Sequence, residues 1–163
     1  MTLAEQLRLQ VVQRWNIVHT VKTQSVAEHS FNVVLIVREM CSKIPTIDPL
    51  DRKNLMIRAL DHDMEEVFTG DLPSTSKSFK LPQNRLDGIL KLADLIEAEY
   101  FLSQYGGHSK HTISAYIWLG ERISEVLQHS RDMGWLGVAE AARQVRDELN
   151  PYNGNLYNGP ERK

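Results

Sequence analysis

The chain has 163 residues, of which 42% are hydrophobic and 25% are charged, and its formal net charge is −2. This length and composition predict one globular domain with a sizeable core. The near-neutral charge argues against a stable nucleic-acid partner, because nucleic-acid-binding domains usually carry a marked excess of Lys and Arg. The single cysteine, Cys41, excludes an internal disulfide, and no apolar run reaches the length of a membrane span. We therefore expect a cytoplasmic protein that does not enter a membrane.

Helical periodicity recurs along almost the whole chain. Residues 2–13 carry roughly one apolar residue per turn, and Ser25, with Glu28 as its capping-box partner, can begin a helix that extends to about Lys43. Further helices are predicted over residues 50–62, 63–68, 84–104, 111–129 and 132–149. The predicted fold is thus all-α: a single helical-bundle domain over residues 1–149, followed by an extended or flexible tail over residues 150–163.

Four side chains of the kinds that bind metals lie in this helical and largely apolar sequence: His29, the adjacent His62 and Asp63, and Asp94. Asp94 has aliphatic neighbours on both sides, and a buried carboxylate is usually paired or metal-bound because burying it ionised and alone is costly. Each residue taken alone would more often be an ordinary hydrogen-bonded core residue. Together, two imidazoles and two carboxylates favour a divalent metal site between helices.

The order His, His-Asp, Asp resembles that of the HD-domain metal-dependent phosphohydrolases, in which all of these residues lie on helices. Further motifs accompany these residues: Arg14-Trp15, the segment 25–30, the segment 62–67, the segment 69–73 and Ala93-Asp94. Their order resembles that in the 5′-deoxynucleotidases and in the phage-type deoxynucleoside triphosphate (dNTP) triphosphohydrolases. The resemblance extends from about residue 14 to residue 100, and the segment between Asp71 and Asp94 is shorter than in the bacterial enzymes. It implies an HD-domain bundle with the metal site between helices.

The resemblance also implies roles for individual residues. A divalent ion, with cobalt, manganese, zinc, iron and magnesium all compatible in ligand type, would be held by His29, His62, Asp63 and Asp94. Glu66 would orient the attacking water or move its protons, and Asp71 would protonate the leaving 5′-oxygen. The simpler alternatives are a surface glutamate at 66 and a turn aspartate at 71.

Substrate contacts are expected from the segment before the first histidine. Arg14 can bind phosphate with two hydrogen bonds, Trp15 can contact the sugar and favour its deoxy form, and Ile17 can supply an apolar wall to the base. Lys77, with Lys80, adds positive charge that would suit a triphosphate. The alternative places Trp15 in the core and Arg14 at the surface.

These expectations leave several functions open. The resemblance favours a dNTP triphosphohydrolase of the dATP type that releases tripolyphosphate, and a 5′-deoxynucleotidase that releases orthophosphate from deoxynucleoside monophosphates (dNMPs) is the main alternative. A phosphodiesterase of cyclic nucleotides and a non-catalytic HD nucleotide sensor are further alternatives. The resemblance also predicts a homo-oligomer.

Overall fold

A computed structural model of the protein describes residues 1–71 and 79–150. In these two ranges the regular elements are α-helices and one short 3-10 helix, accompanied by two isolated β-bridges. The predicted all-α fold is confirmed. None of the helices described is long and apolar enough to cross a bilayer. The predicted tail lies outside the described residues from residue 151 onward.

The helices follow one another with short connections over most of the chain. In chain order they are α1 (Leu3–Leu7), the 3-10 helix (Arg8–Gln10), α2 (Val26–Ser42), α3 (Pro49–Asp61), α4 (Glu66–Thr69), α5 (Arg85–Tyr105), α6 (Lys110–Asp132) and α7 (Val138–Leu149).

Helix α5 is the centre of the bundle. It contacts α2, α3, α6 and α7, and its buried residues extend around the helix rather than along one stripe. A helix that is largely apolar on all sides is expected in the interior. The polar groups that α5 carries are therefore placed inside the protein, at the junction with α2 and α3.

Helix α2 begins as the sequence predicts. The Ser25 side chain accepts a hydrogen bond from the Glu28 backbone N–H at 3.1 Å, and the Glu28 carboxylate accepts one from the Ser25 backbone N–H at 3.0 Å. This capping box satisfies two backbone donors that the first helical turn leaves open. It fixes where α2 starts, and so the position of His29.

The N-terminal helix is shorter than predicted. Residues 2–13 were expected to form one helix, but α1 ends at Leu7 and a 3-10 helix follows it. The apolar residues that suggested the longer helix, Leu3, Leu7 and Val11, are 69%, 59% and 66% exposed. Because helices this short depend on burying an apolar face, a segment without one does not extend.

Two other boundaries differ from the predictions. The expected short helix over residues 63–68 is α4, which begins only at Glu66, so His62 lies at the C-cap of α3 and Asp63 in the turn that follows. The expectation that both residues lie on helices is therefore wrong. Helix α7 begins at Val138 rather than at 132, because Gly134 and Gly137 adopt positive φ angles of 67° and 78°, which end helices.

Candidate active site

The four residues predicted to bind a metal converge at one place. Ligand atoms of His29 from α2, His62 from the end of α3 and Asp94 from α5 lie within 4.8 Å of one another, an arrangement that could hold a metal ion. The Nε2 atom of His29 is 3.2 Å from Nε2 of His62 and 3.3 Å from Oδ1 of Asp94. Oδ2 of Asp63 lies 3.6 Å from Nε2 of His29 and 3.3 Å from Nε2 of His62. Imidazole nitrogens and carboxylate oxygens gathered in this way suit a divalent transition-metal ion.

The surroundings of the two histidines direct the same ring atom, Nε2, toward this cluster. His62 Nδ1 lies 2.8 Å from the backbone carbonyl oxygen of Ala59, which can only accept, so Nδ1 carries the proton and donates. His29 Nδ1 lies 2.5 Å from a carboxylate oxygen of Glu97. In both rings the Nδ1 contact leaves Nε2 available to a ligand, as a carboxylate or carbonyl behind a metal-binding histidine does.

The charge of Asp94 is maintained by its neighbours. Burial by itself raises the pKa of this carboxyl, but the Lys91 ammonium beside it holds the pKa of Asp94 well below its usual range. The Lys91 Nζ donates to Oδ2 of Asp94 at 2.9 Å, and the attraction of Asp94 in turn raises the pKa of Lys91. Asp94 is therefore ionised near neutral pH, the form that binds a cation, and Lys91 is charged beside it.

The two predicted catalytic acids lie at different depths. Glu66 is the first residue of α4 and is 6% exposed, and its backbone N–H donates to the carbonyl of Asp63 at 3.0 Å. The alternative of a plain surface glutamate at 66 is wrong. Asp71 accepts a hydrogen bond from the backbone N–H of Trp15 at 3.0 Å, which links the end of α4 to the segment before α2.

The predicted substrate residues occupy an irregular segment. Trp15 has a φ of 66°, its ring stacks on Phe101 with centroids 5.9 Å apart, and Ile17 is 63% exposed. The Arg14 side chain is only 9% exposed and bonds Gln24 and Glu97, so the alternative that placed Arg14 at the surface is wrong. Lys77 lies outside the described residues.

Sequence reasoning did not single out the polar residues behind His29, which are the buried Gln24 and Glu97 and the half-buried Asn32. Glu97 is 1% exposed and follows Asp94 by three positions, which places both carboxylates on one face of α5. That spacing was a usable signal. It was weakened by Glu99, an equally buried glutamate two positions later that forms a bidentate pair with Arg146 instead.

A cavity of about 330 Å³ opens beside the metal-type cluster. Its lining combines His62, Asp63 and Asp94 with three cationic side chains, Arg58, Lys80 and Lys91. Arg58 pairs with Asp87, and the Lys91 ammonium lies 5.8 Å from the centroid of the Phe79 ring. Arg58 and Lys91 were not among the predicted site residues.

Comparisons with known proteins agree with this architecture. The family model described as "5′-deoxynucleotidase YfbR-like" matches residues 3–97. A dATP triphosphohydrolase of Salmonella phage PMBT28 is 32% identical, covering 92% of this chain and 90% of the relative. A 5′-deoxynucleotidase of Shewanella oneidensis is 33% identical over 68% of each chain.

A solved structure shows the same fold. It is the HD phosphohydrolase DatZ of cyanophage S-2L, bound to dA and one catalytic Zn²⁺ ion, with a TM-score of 0.74 and 22% sequence identity. The superposition covers 93% of this chain and 98% of DatZ. The predictions of an HD-domain fold and of an enzyme are confirmed, and the non-catalytic sensor is not favoured. This chain belongs to the YfbR-like 5′-deoxynucleotidase family.

Proposed function

We propose that this protein is a metal-dependent hydrolase of 2′-deoxynucleoside triphosphates. In the proposed reaction, water attacks the α-phosphorus and the bond between that phosphorus and the 5′-oxygen breaks. The products are the deoxynucleoside, whose 5′-oxygen gains a proton, and tripolyphosphate. The phage relative, named for dATP triphosphohydrolysis and aligned over nearly the whole chain, supports this choice, as does the dA bound to the cyanophage neighbour.

The metal would be held by His29, His62, Asp63 and Asp94, whose nitrogen and oxygen atoms fit a divalent ion. When bound, such an ion neutralises charge on the phosphate and lowers the pKa of water. The protein contributes the orientation of the two imidazoles through the contacts of their Nδ1 atoms with Glu97 and the Ala59 carbonyl. It also keeps Asp94 ionised through Lys91.

We assign proton transfer to two carboxylic acids that follow Asp63 in the chain, Glu66 and Asp71. Glu66, buried one turn after Asp63, would accept a proton from the attacking water. Asp71 would donate a proton to the leaving 5′-oxygen. Its contact with the Trp15 backbone fixes its distance from the segment that is proposed to hold the sugar.

The observation that carries the choice of a triphosphate is the cavity next to the cluster, whose lining includes three cationic side chains. The cleaved α-phosphate must lie at the cluster, so the β- and γ-phosphates require a neighbouring space with positive charge. The cavity is lined by Lys80, Lys91 and Arg58, of which Lys91 also pairs with Asp94 and Arg58 with Asp87. A monophosphate would leave most of this surface unused.

A 5′-deoxynucleotidase is the second candidate, because the family description and the Shewanella relative both name that activity. Product analysis by chromatography distinguishes the two activities. Metal-loaded protein is incubated with matched dNMP, dNTP, NMP and NTP panels, and the products are identified. Tripolyphosphate with deoxyadenosine from dATP, and little product from dAMP, supports the triphosphohydrolase. Orthophosphate from dNMPs alone would replace it with the nucleotidase, and no product from any panel would remove both.

The cavity itself is tested by Lys80→Met. We expect the KM for dATP to rise about tenfold, since one charged contact to phosphate is lost, while any turnover of dAMP is unchanged. The matched control is Lys53→Met, an exposed lysine on α3 that does not line the cavity. Equal kinetics of the two variants toward dATP would place the β- and γ-phosphates elsewhere.

The predicted homo-oligomer stays a prediction, which light scattering of the purified protein would check.

A further inference from the structure

A buried row of polar side chains connects His29 to Trp15. Glu97 stands at its centre. One oxygen, Oε2, lies 2.5 Å from Nδ1 of His29, and the other, Oε1, accepts hydrogen bonds from Nε2 of Gln24 at 2.6 Å and from Nδ2 of Asn32 at 3.0 Å. Glu97, Gln24 and His29 are each at most 1% exposed. Hydrogen bonds in such surroundings are strong, and leaving any of these groups unpaired would be costly.

Gln24 continues the row toward the predicted nucleotide-binding residues. Its Oε1 accepts from the indole Nε1 of Trp15 at 3.1 Å and from a guanidinium nitrogen of Arg14 at 3.2 Å. The same guanidinium nitrogen lies 3.4 Å from Oε2 of Glu97. One side chain therefore contacts both members of the Arg14-Trp15 pair and the carboxylate behind His29.

The direction of every bond in this row is fixed by chemistry. An indole N–H and a guanidinium can only donate, so they must face the oxygen of the Gln24 amide. An ionised carboxylate can only accept, so it must face the nitrogen of that amide and the protonated Nδ1 of His29. The neutral imidazole then carries its lone pair on Nε2, the atom 3.2 to 3.6 Å from His62, Asp94 and Asp63. Reversing any one group would break contacts on both sides of it.

We propose that Glu97 and Gln24 are positioning residues that join metal binding to nucleotide recognition. Glu97 fixes the tautomer and ring orientation of His29. Gln24 fixes the positions of the Trp15 indole and the Arg14 guanidinium relative to Glu97. This role rests on the proposed function, because Glu97 and Gln24 can position the site only if His29 binds a metal and Trp15 contacts the sugar.

The decisive variant is Glu97→Gln, which keeps size and shape. Two amide donors, from Gln24 and Asn32, face one side of residue 97, and the other side faces His29, whose ring can change tautomer, and the more distant Arg14 nitrogen. We therefore expect the new amide to keep its oxygen toward the two amide donors and to turn its nitrogen toward His29. The His29 proton then moves from Nδ1 to Nε2, onto the atom that faces the cluster. We expect the affinity for Zn²⁺ or Co²⁺, measured by titration of metal-free protein, to fall roughly 10- to 100-fold.

The chain offers a matched control in Glu99→Gln. Glu99 is also 1% exposed and lies on the same helix, but it binds Arg146 through both oxygens and does not touch the cluster. We expect this variant to lose thermal stability and keep the metal affinity of the unmodified chain. Equal metal affinity of folded Glu97→Gln and Glu99→Gln would overturn the role of Glu97.

Gln24→Met tests the other half of the row. Methionine has a similar length but no hydrogen-bonding amide, so the Trp15 indole and Arg14 lose their common acceptor. We expect the KM for dATP to rise about tenfold with a smaller change in kcat, together with weaker discrimination against ATP. A purely structural role would lower the melting temperature and leave both the KM and this discrimination unchanged, and that result would overturn the coupling. If Glu97→Gln does not fold, the KM and the discrimination against ATP of Gln24→Met test the proposal in its place.

Failure of the proposed function would look different. If the unmodified chain bound metal but hydrolysed no deoxynucleotide, the function would be wrong while the metal titration of Glu97→Gln still tested the positioning of His29. If the unmodified chain turned over dATP and both variants matched it in metal affinity and KM, only the inference would be wrong. An unmodified chain that bound no metal would overturn both.

Discussion

The two sides of the candidate site are built in different ways. On one side, His29 and Asp94 project from long helices whose apolar residues are packed in the core, and His62 and Asp63 follow directly on α3. On the other side, the segment of residues 11–25 has no helix and is held by isolated contacts. These include a β-bridge between Gln13 and Ser25 and the hydrogen bond between Trp15 and Asp71.

The backbone shows the same contrast. Trp15 has a positive φ, which for a bulky residue costs about 1–3 kcal/mol and persists only where its surroundings enforce it. Its backbone N–H and indole N–H both have buried or half-buried acceptors, Asp71 and Gln24. Helix packing thus fixes the side with the metal-type cluster, whereas individual hydrogen bonds fix the side that is proposed to hold the nucleotide. We expect substitutions on the first side to remove chemistry altogether and those on the second to change selectivity by degrees.

The largest effect is expected from Asp63→Ala. Removing one carboxylate from the cluster should abolish metal binding and turnover together, because the remaining residues leave the cation with fewer ligands and less negative charge. Metal content by mass spectrometry and dATP hydrolysis measure the two effects. Asp61→Ala, an exposed neighbour at the end of α3, should behave like the unmodified chain. A metal-free Asp63→Ala protein that remained active would remove the metal from the mechanism.

A smaller loss is expected from Glu66→Gln. This variant keeps the side-chain volume but cannot take a proton, so turnover should fall by about two to four orders of magnitude while metal content is retained. Glu65→Gln is the matched control, since Glu65 is the adjacent glutamate and is exposed. Turnover within a few-fold of the control would exclude Glu66 from proton transfer and leave it a structural role at the start of α4.

The contrast between the two sides also explains what the sequence could predict. His29 and Asp94 lie in periodic helical sequence with a clear capping box, and local pattern alone places such residues on the buried face of a helix. Glu97 was missed because Glu97 and Glu99 look alike in the sequence. Only the packing of α5 between α2 and α7 decides which carboxylate meets His29 and which meets Arg146.

The irregular elements were harder to predict for a physical reason. The contacts of Arg14 and Trp15 join residues distant in sequence, such as Arg14 with Glu97 and Trp15 with Asp71, and no local periodicity records them. The predicted length of α1 was wrong for a similar reason. The apolar spacing of residues 2–13 fits a helix, but its apolar side chains Leu3, Leu7 and Val11 are largely exposed.

Asp71 can sharpen the comparison, since it is the proposed acid for the leaving group and also accepts a hydrogen bond from Trp15. Asp71→Asn keeps an oxygen that can accept the Trp15 N–H but removes the proton for the leaving group. We expect kcat to fall about 10²-fold with an unchanged preference for dATP over ATP. Asp71→Ala removes both functions, so it should in addition weaken that preference. If Asp71→Asn kept full kcat and only Asp71→Ala were impaired, Asp71 would act solely by holding Trp15.

The smallest effect, and the most specific to the nucleotide side, is expected from Trp15→Phe. Phenylalanine can still stack on Phe101, but it lacks the N–H that Gln24 accepts and reaches less far toward a sugar. The ratio of kcat/KM for dATP to that for ATP should therefore fall about tenfold, mainly through faster ATP hydrolysis. The control is Trp135→Phe. Trp135 lies in the connection between α6 and α7 and packs against Gly88 of α5, so this variant should leave the ratio unchanged. If both variants kept the deoxy preference, Trp15 would serve the core, and selection of the sugar would have to come from residues on the metal side.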